Sequence, residues 1–281
     1  MVSEGHPQRV APFLFPQRYE LPLGPSQSAP REVRFLLGED LALLDRGMNL
    51  ELLIVRESRA SRFRTDALAA LLGLWSRSFS YRADACSLMV RGGYASCVPL
   101  LRAACDCMGA QRGLAEGDLH EFTEWLDAIG QSREHVALDI GLGRYRAGSR
   151  LAADDRLGAL YRVLTDLSMT HFGSTMLQVA PEADPQKIRI GFADSSFHLG
   201  WAQLIIGWLL VLWSVQLETS VDAGTFSASP DAKTQLAALS SEVEKVLSKP
   251  DRCRVEELGD GRYLFHNVRR QPGGAPRRLL L

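Results

Sequence analysis

Two residues four apart, Arg102 and Asp106, sit inside an apolar run made by Leu100, Leu101, Ala103 and Ala104. At that spacing on a helix they share one face and can pair. A lone charge among apolar neighbours is costly, so both groups need partners. Two roles fit them: a polar site between helices in which Arg102 holds an anion, or a structural ion pair that fixes helix register. Farther along, Tyr161 and His171 fall on a second stripe of three- and four-residue spacing. They would supply hydrogen bonds or protons to the same site. For His171 the plainer role is a hydrogen-bonded core histidine, and the sharper one is a pocket base or ligand.

Other constellations carry less. His120 and Glu124 stand four apart beside Glu121, a spacing that can bind a metal. A solvated acidic face, with Asp118 and Asp127, explains them more simply. Cys105 and Cys107 are two apart, so on a helix they point to different faces and do not share a metal. Gly141 and Gly143 lack a third glycine at the spacing a dinucleotide loop needs. Neither a glycine-rich Lys-Ser/Thr phosphate loop nor a Gly-x-Ser-x-Gly elbow occurs. The sequence therefore assigns no catalytic residue, no metal and no cofactor.

The elements that would position Arg102 are helices. Leu68, Leu72, Trp75, Phe79, Arg82, Cys86 and Met89 alternate four and three apart, which places them on one stripe with Arg82 as its polar intruder. Gly92 and Gly93 end that helix. A second helix follows from Tyr94 or Ser96 with Val98, Leu101, Cys105 and Met108; Pro99 is tolerated in its first turn if Ser96 is the N-cap, and a kinked continuous helix with Pro99 inside it is the alternative. Further helices are predicted at 40–44 (ended by Gly47), 118–129, 154–172, 194–218 and 230–247. Asp154 or Asp155 suits the start of the third of these. Residues 49–57 read as strand or helix equally well. Short strands are expected at 32–37 and 187–192, a turn at 181–185, and a poorly determined glycine-punctuated stretch at 131–150. Segments 252–258 and 262–268, joined by Gly259-Asp260-Gly261, read as a β-hairpin.

The stretch from Leu88 to Asp106, with its Arg-Gly break followed by Arg102 and an acid four residues on, resembles a pattern in HEPN-like helical proteins of unknown function. In those proteins a later helix with a Tyr and a His often follows. Here the segment with Tyr161, Ser168 and His171 is similar. This chain departs in having Asp rather than the commoner Glu, and in Pro99. Ribonucleases of the wider group use an Arg followed by a His after four to six intervening residues. No Arg–His pair in this chain has that spacing, so the resemblance does not imply RNA cleavage.

The chain has 281 residues, 46% of them hydrophobic and 23% charged, enough to bury a sizeable core in one or two domains. Its net charge of -1 gives no general attraction to nucleic acid or anionic membrane. Five cysteines, an odd number without disulfide-like spacing, suit a reducing compartment. No secretory signal is read in residues 1–18, so a cytoplasmic location is expected. Residues 199–217 are about long enough to span a bilayer, but Gln203, Ser214 and Gln216 interrupt them and no Lys/Arg cluster flanks them. A helix covered on all sides by protein has the same pattern. Residues 251–281 carry seven arginines against four acids, as a frayed solvated tail or as an arm for nucleic acid or a partner.

The expectation is thus a mostly all-α protein: an irregular arm at 1–38, a helical bundle at 39–248, and a hairpin with a basic tail at 249–281. Interaction or regulation is the expected role, with a protein partner that includes a second copy of the chain in a homodimer. Nucleic acid is expected only through the basic tail, and the membrane is not expected. An enzyme or small-molecule sensor with its site between the Arg102 and His171 helices is the alternative, and a protein inserted through 199–217 the third.

Overall fold

The computed structural model describes residues 28–58, 66–115, 151, 154–179, 195–222 and 226–281. Eight helices and three strands lie in these residues. In chain order they are α1 (Ser28–Leu36), α2 (Gly38–Ser58), α3 (Asp66–Val90), α4 (Tyr94–Ala115), α5 (Asp155–Ser168), α6 (Phe172–Val179), α7 (Leu199–Asp222) and α8 (Pro230–Leu247). The strands β1 (Arg254–Gly259), β2 (Arg262–Val268) and β3 (Arg277–Leu280) follow. They form one antiparallel sheet in the order β1-β2-β3. The mostly all-α expectation holds, with the small sheet at the C-terminal end.

The helix pair around the glycine break forms as the stripes predict. Trp75, Cys86 and Met89 of α3 and Cys97, Val98, Leu101, Cys105 and Met108 of α4 are buried, and Leu72 and Phe79 pack against them. Gly92 has φ 81°, and a Cβ there would stand 2.6 Å from the Ser195 carbonyl carbon. The break thus meets the lead-in to α7, where the His198 backbone N–H donates to the Tyr94 hydroxyl at 3.0 Å. α4 starts at Tyr94, not after Ser96, so Pro99 lies inside the helix. The carbonyl it leaves without a helical donor belongs to Ala95, on an exposed side.

α7 is the axis of the fold. It touches α2, α3, α4, α5, α8 and both strands of the hairpin. It is long and apolar enough to cross a membrane, and 78% of its most apolar window is buried within this fold. Its polar interruptions are bonded by neighbours. Gln203 accepts the Cys253 N–H at 3.0 Å. Gln216 donates to Gln111 at 2.5 Å and to Ser220 at 3.1 Å, and Ser214 donates to Glu218 at 2.6 Å. The helix begins at Leu199 and extends to Asp222, later at both ends than the predicted 194–218.

Several expectations are corrected. The strand predicted at 32–37 is helical: Ala29, Val33 and Leu37 are buried at four-residue intervals, and the Leu37 N–H bonds the Val33 carbonyl at 2.8 Å. The arm therefore does not extend to residue 38. Gly47 does not end a helix. α2 runs through it to Ser58 and takes in 49–57. A Cβ at Gly47 would stand 2.6 Å from the Trp213 ring, so this glycine is a notch for an indole. The helix expected at 154–172 is two: α5 is capped by Asp154, which accepts the Leu157 N–H at 2.8 Å, and stops at Ser168. α8 has the expected bounds, with Ser229 as its N-cap and Pro230 in its first turn. The basic tail is not frayed, because β3 pairs with β2. Residues 118–129, 131–150, 181–185 and 187–192 lie outside the described residues.

The sheet has two unlike faces. Tyr263, Phe265 and Val268 are buried, and Val255, Leu279 and Leu281 pack with them against the core. Strand alternation turns Arg254, Glu256, Leu264, His266, Arg278 and Leu280 to the opposite face. Tyr263 donates to Asp166 of α5 at 2.6 Å, and Arg162 of α5 grips Glu257 at 2.9 Å. These contacts fix the inner face over α5 and α7.

Candidate functional site

Three of the four predicted site residues converge. α4 presents Arg102 and Asp106 toward α5, which presents Tyr161 and Thr165. The Arg102 Nε–H donates to Thr165 Oγ1 at 3.2 Å, and Nη2 donates to the Tyr161 hydroxyl at 3.5 Å. Its guanidinium carbon lies 5.7 Å from the Tyr161 ring centre, within cation–π range. Two of the five N–H donors are thus engaged, and the other three have no partner among the described residues. Burial raises the Asp106 carboxyl above its ordinary value, while Arg102 and the Tyr161 hydroxyl pull it down by less. Arg102 therefore spends its hydrogen bonds on α5 rather than on its helical neighbour. The expected register-fixing pair is, in the structure, a brace between two helices.

His171 stands apart. It lies past the end of α5, with its side chain exposed. Its Nδ1 accepts the Ser174 N–H at 3.1 Å and its carbonyl accepts from Ser174 and Thr175, which caps α6. It is not a core histidine, and no contact with Arg102 is present. His120 and Glu124 lie outside the described residues. Among the described residues no group of three or more His, Cys, Asp or Glu is placed to hold a metal.

The strongest polar clusters escaped sequence reading. Arg82 of α3 donates to both carboxylate oxygens of Glu51 at 2.9 and 2.5 Å, and the Trp75 Nε1–H donates to the same carboxylate. Arg82 was visible as an intruder in an apolar stripe, which demands a partner. Glu51 sits in the ambiguous 49–57 segment and gave no such signal. A second buried pair joins Asp40 to Arg252 at 2.5 Å, with Arg252 also donating to the Gln203 carbonyl at 3.1 Å. It ties α2 and α7 to the chain entering the sheet. A cavity of about 610 Å³ opens beside it, lined by Phe35, Glu39, Lys249 and Asp251 among others. A third network links Arg112 to Asp154 at 2.9 Å and to Thr219 at 2.8 Å.

By contrast, the outer side of the sheet leaves its groups in solvent. Leu258 and Leu280 are exposed, the latter at 61%, and Leu264 does not join the core. On this side Arg254, Arg262 and Arg278 are exposed, as is Arg277 on the other side, and none of the four has an ion pair among the described residues. One pair does occur on this face, His266 Nε2 with Glu256 at 2.6 Å. No protein family, curated protein or solved structure matches the chain.

Proposed function

We propose that this is an interaction or regulatory protein, a helical scaffold that meets a protein partner through the outer side of its C-terminal sheet. The observation that carries the reading is an asymmetry. Inside the fold the buried charges are used on one another, in Glu51–Arg82 and Asp40–Arg252. The outer side of the sheet instead holds out Leu258 and Leu280, with Leu264 half-buried, beside Arg254, Arg262 and Arg278, which have no ion pair among the described residues. Apolar side chains rimmed by polar ones mark contact surfaces. A HEPN-like relationship belongs to the same proposal. It is supported by the glycine break before α4, by Arg102 and Asp106 on one helix, and by Tyr161 lying over Arg102. Five buried, unbridged cysteines suit a reducing, cytoplasmic setting. Membrane insertion would strip α7 of contacts with five helices.

A photoreactive side chain placed at position 264 in the native host tests this reading. Covalent adducts at 264, absent when the same group replaces exposed Thr234 of α8, support it. No adduct at either position overturns it.

A second reading is favoured by the three unused donors of Arg102: an anion sensor at the α4–α5 brace. Inorganic phosphate that raises the melting temperature of the wild type but not of Arg102→Ala supports it. Equal shifts in both remove it.

A further inference from the structure

Among the described residues β3 is an edge strand, and its backbone is half used. Leu281 exchanges both backbone hydrogen bonds with Tyr263, each at 2.9 Å, and Leu279 stands opposite Phe265. In an antiparallel ladder those residues turn their N–H and C=O groups toward β2. Arg278 and Leu280 therefore turn theirs away, and neither backbone has a partner among the described residues. An unpaired edge of this kind is a template for one more strand.

The side chains say which strand. From Arg277 to Leu280 the edge reads two arginines and then two leucines. Successive residues face opposite sides, so each side of the sheet ends in one arginine and one leucine. Residues 249–281 hold eight Lys and Arg against four Asp and Glu, and neither edge arginine has an ion pair among the described residues. Resting on the interaction reading above, we propose that the free edge of β3 takes a fourth strand from an acidic, extended segment of a partner protein. Two adjacent acidic residues in that segment lie beside Arg277 and Arg278, and two adjacent apolar residues lie beside Leu279 and Leu280.

Other occupants fit less well. A second copy of β3 sets arginine against arginine or leucine, never against an acid. Single-stranded nucleic acid needs aromatic platforms, and Tyr263 and Phe265 are turned into the core. Arginine at an edge also discourages pairing with like strands, which leaves the edge open to an oppositely charged one.

Selection of random eight-residue peptides on the full chain tests the inference, with affinities read by fluorescence anisotropy. The expected peptides carry adjacent Asp or Glu next to adjacent apolar residues. Their affinity should fall about tenfold or more in Arg277→Glu/Arg278→Glu and hold within about threefold in Arg277→Lys/Arg278→Lys. Arg278→Pro, which removes an outward N–H that the β2 ladder does not use, should also weaken binding about tenfold. Exchanging the peptide acids for lysines should restore binding to the Glu variant, a result that an unfolded variant cannot give. Peptides without acidic preference, binding indifferent to Arg278→Pro, displacement by oligouridylate, or a wild-type dimer that Arg278→Pro dissociates would each overturn it. If adducts at position 264 persist beside such a result, the interaction reading stands and only the acidic strand falls.

Discussion

The carboxylate of Glu51 and the guanidinium of Arg82 meet in a two-pronged ion pair between α2 and α3, with both side chains sealed from solvent. Trp75 donates a third bond to the same carboxylate. Desolvating two charges offsets much of their attraction, but removing one partner leaves the other stranded. Glu51→Ala or Arg82→Ala should therefore cost about 3–5 kcal/mol in chemical denaturation. The double replacement Glu51→Leu/Arg82→Met should lie much closer to wild type than either single change. A double variant as unstable as the sum of the singles would show that the pair is not the coupled unit described.

Gly92 combines a left-handed φ of 81° with a backbone neighbour, Ser195, that cannot withdraw as a side-chain tip would. Gly92→Ala should destabilise by about 2 kcal/mol or more in the same assay. Gly38→Ala, where nothing lies within 4 Å of the added carbon, should be close to neutral. Equal effects at the two sites would contradict the close approach.

Asp106 gives a pH signature. Burial raises its carboxyl above the ordinary 3.8, with Arg102 and Tyr161 opposing. A folded-state value above the unfolded one means that the native protein binds the proton more tightly. The resulting stabilisation is complete below the unfolded value and is lost as pH rises through the folded one. Measured by urea denaturation, wild type should lose stability relative to Asp106→Asn as pH climbs from about 3 to 6. A gain over that interval would show that Arg102 outweighs burial.

The thiols should be silent until the chain unfolds. All five cysteines are buried and unbridged. Burial pushes Cys107 up to about 11 and Cys253 up to about 12, and drives Cys97 and Cys105 higher still. Thiolate is the reactive form, so alkylation at neutral pH should label none of them within minutes and all five in denaturant. Rapid native labelling of Cys107 would place it at the surface.

What the sequence disclosed follows its periodicity. The stripes around Trp75 and Leu101 and the hairpin turn at 259–261 are local patterns, and each became the element it implied. What it hid is long-range. Gly47 reads as a helix stop until Trp213, far along the chain, needs the room. Glu51 reads as an ordinary acid until Arg82 folds against it. The segment at 32–37 reads as a strand because its buried positions recur too few times to set the period. At the candidate site the sequence placed Arg102, Asp106 and Tyr161 together but missed Thr165, which only the α4–α5 approach brings into reach. By spacing His171 extends the α5 stripe, yet the helix ends before it. β3 was missed because four residues after a Pro/Gly-rich stretch carry almost no pattern of their own.

The central position of α7 bears on how the chain is made. Residues 199–222 contact helices that precede them in the chain by more than a hundred residues. A ribosome therefore releases α2, α3 and α4 well before the rod that plugs the space between them. Until it arrives, Gly47 of α2, Gln111 of α4 and the faces around them lack the residues that cover them in the finished fold, and nascent chains with such unfilled clefts are prone to stick. Newborn molecules truncated before residue 199 should need a chaperone's shelter that the finished protein does not.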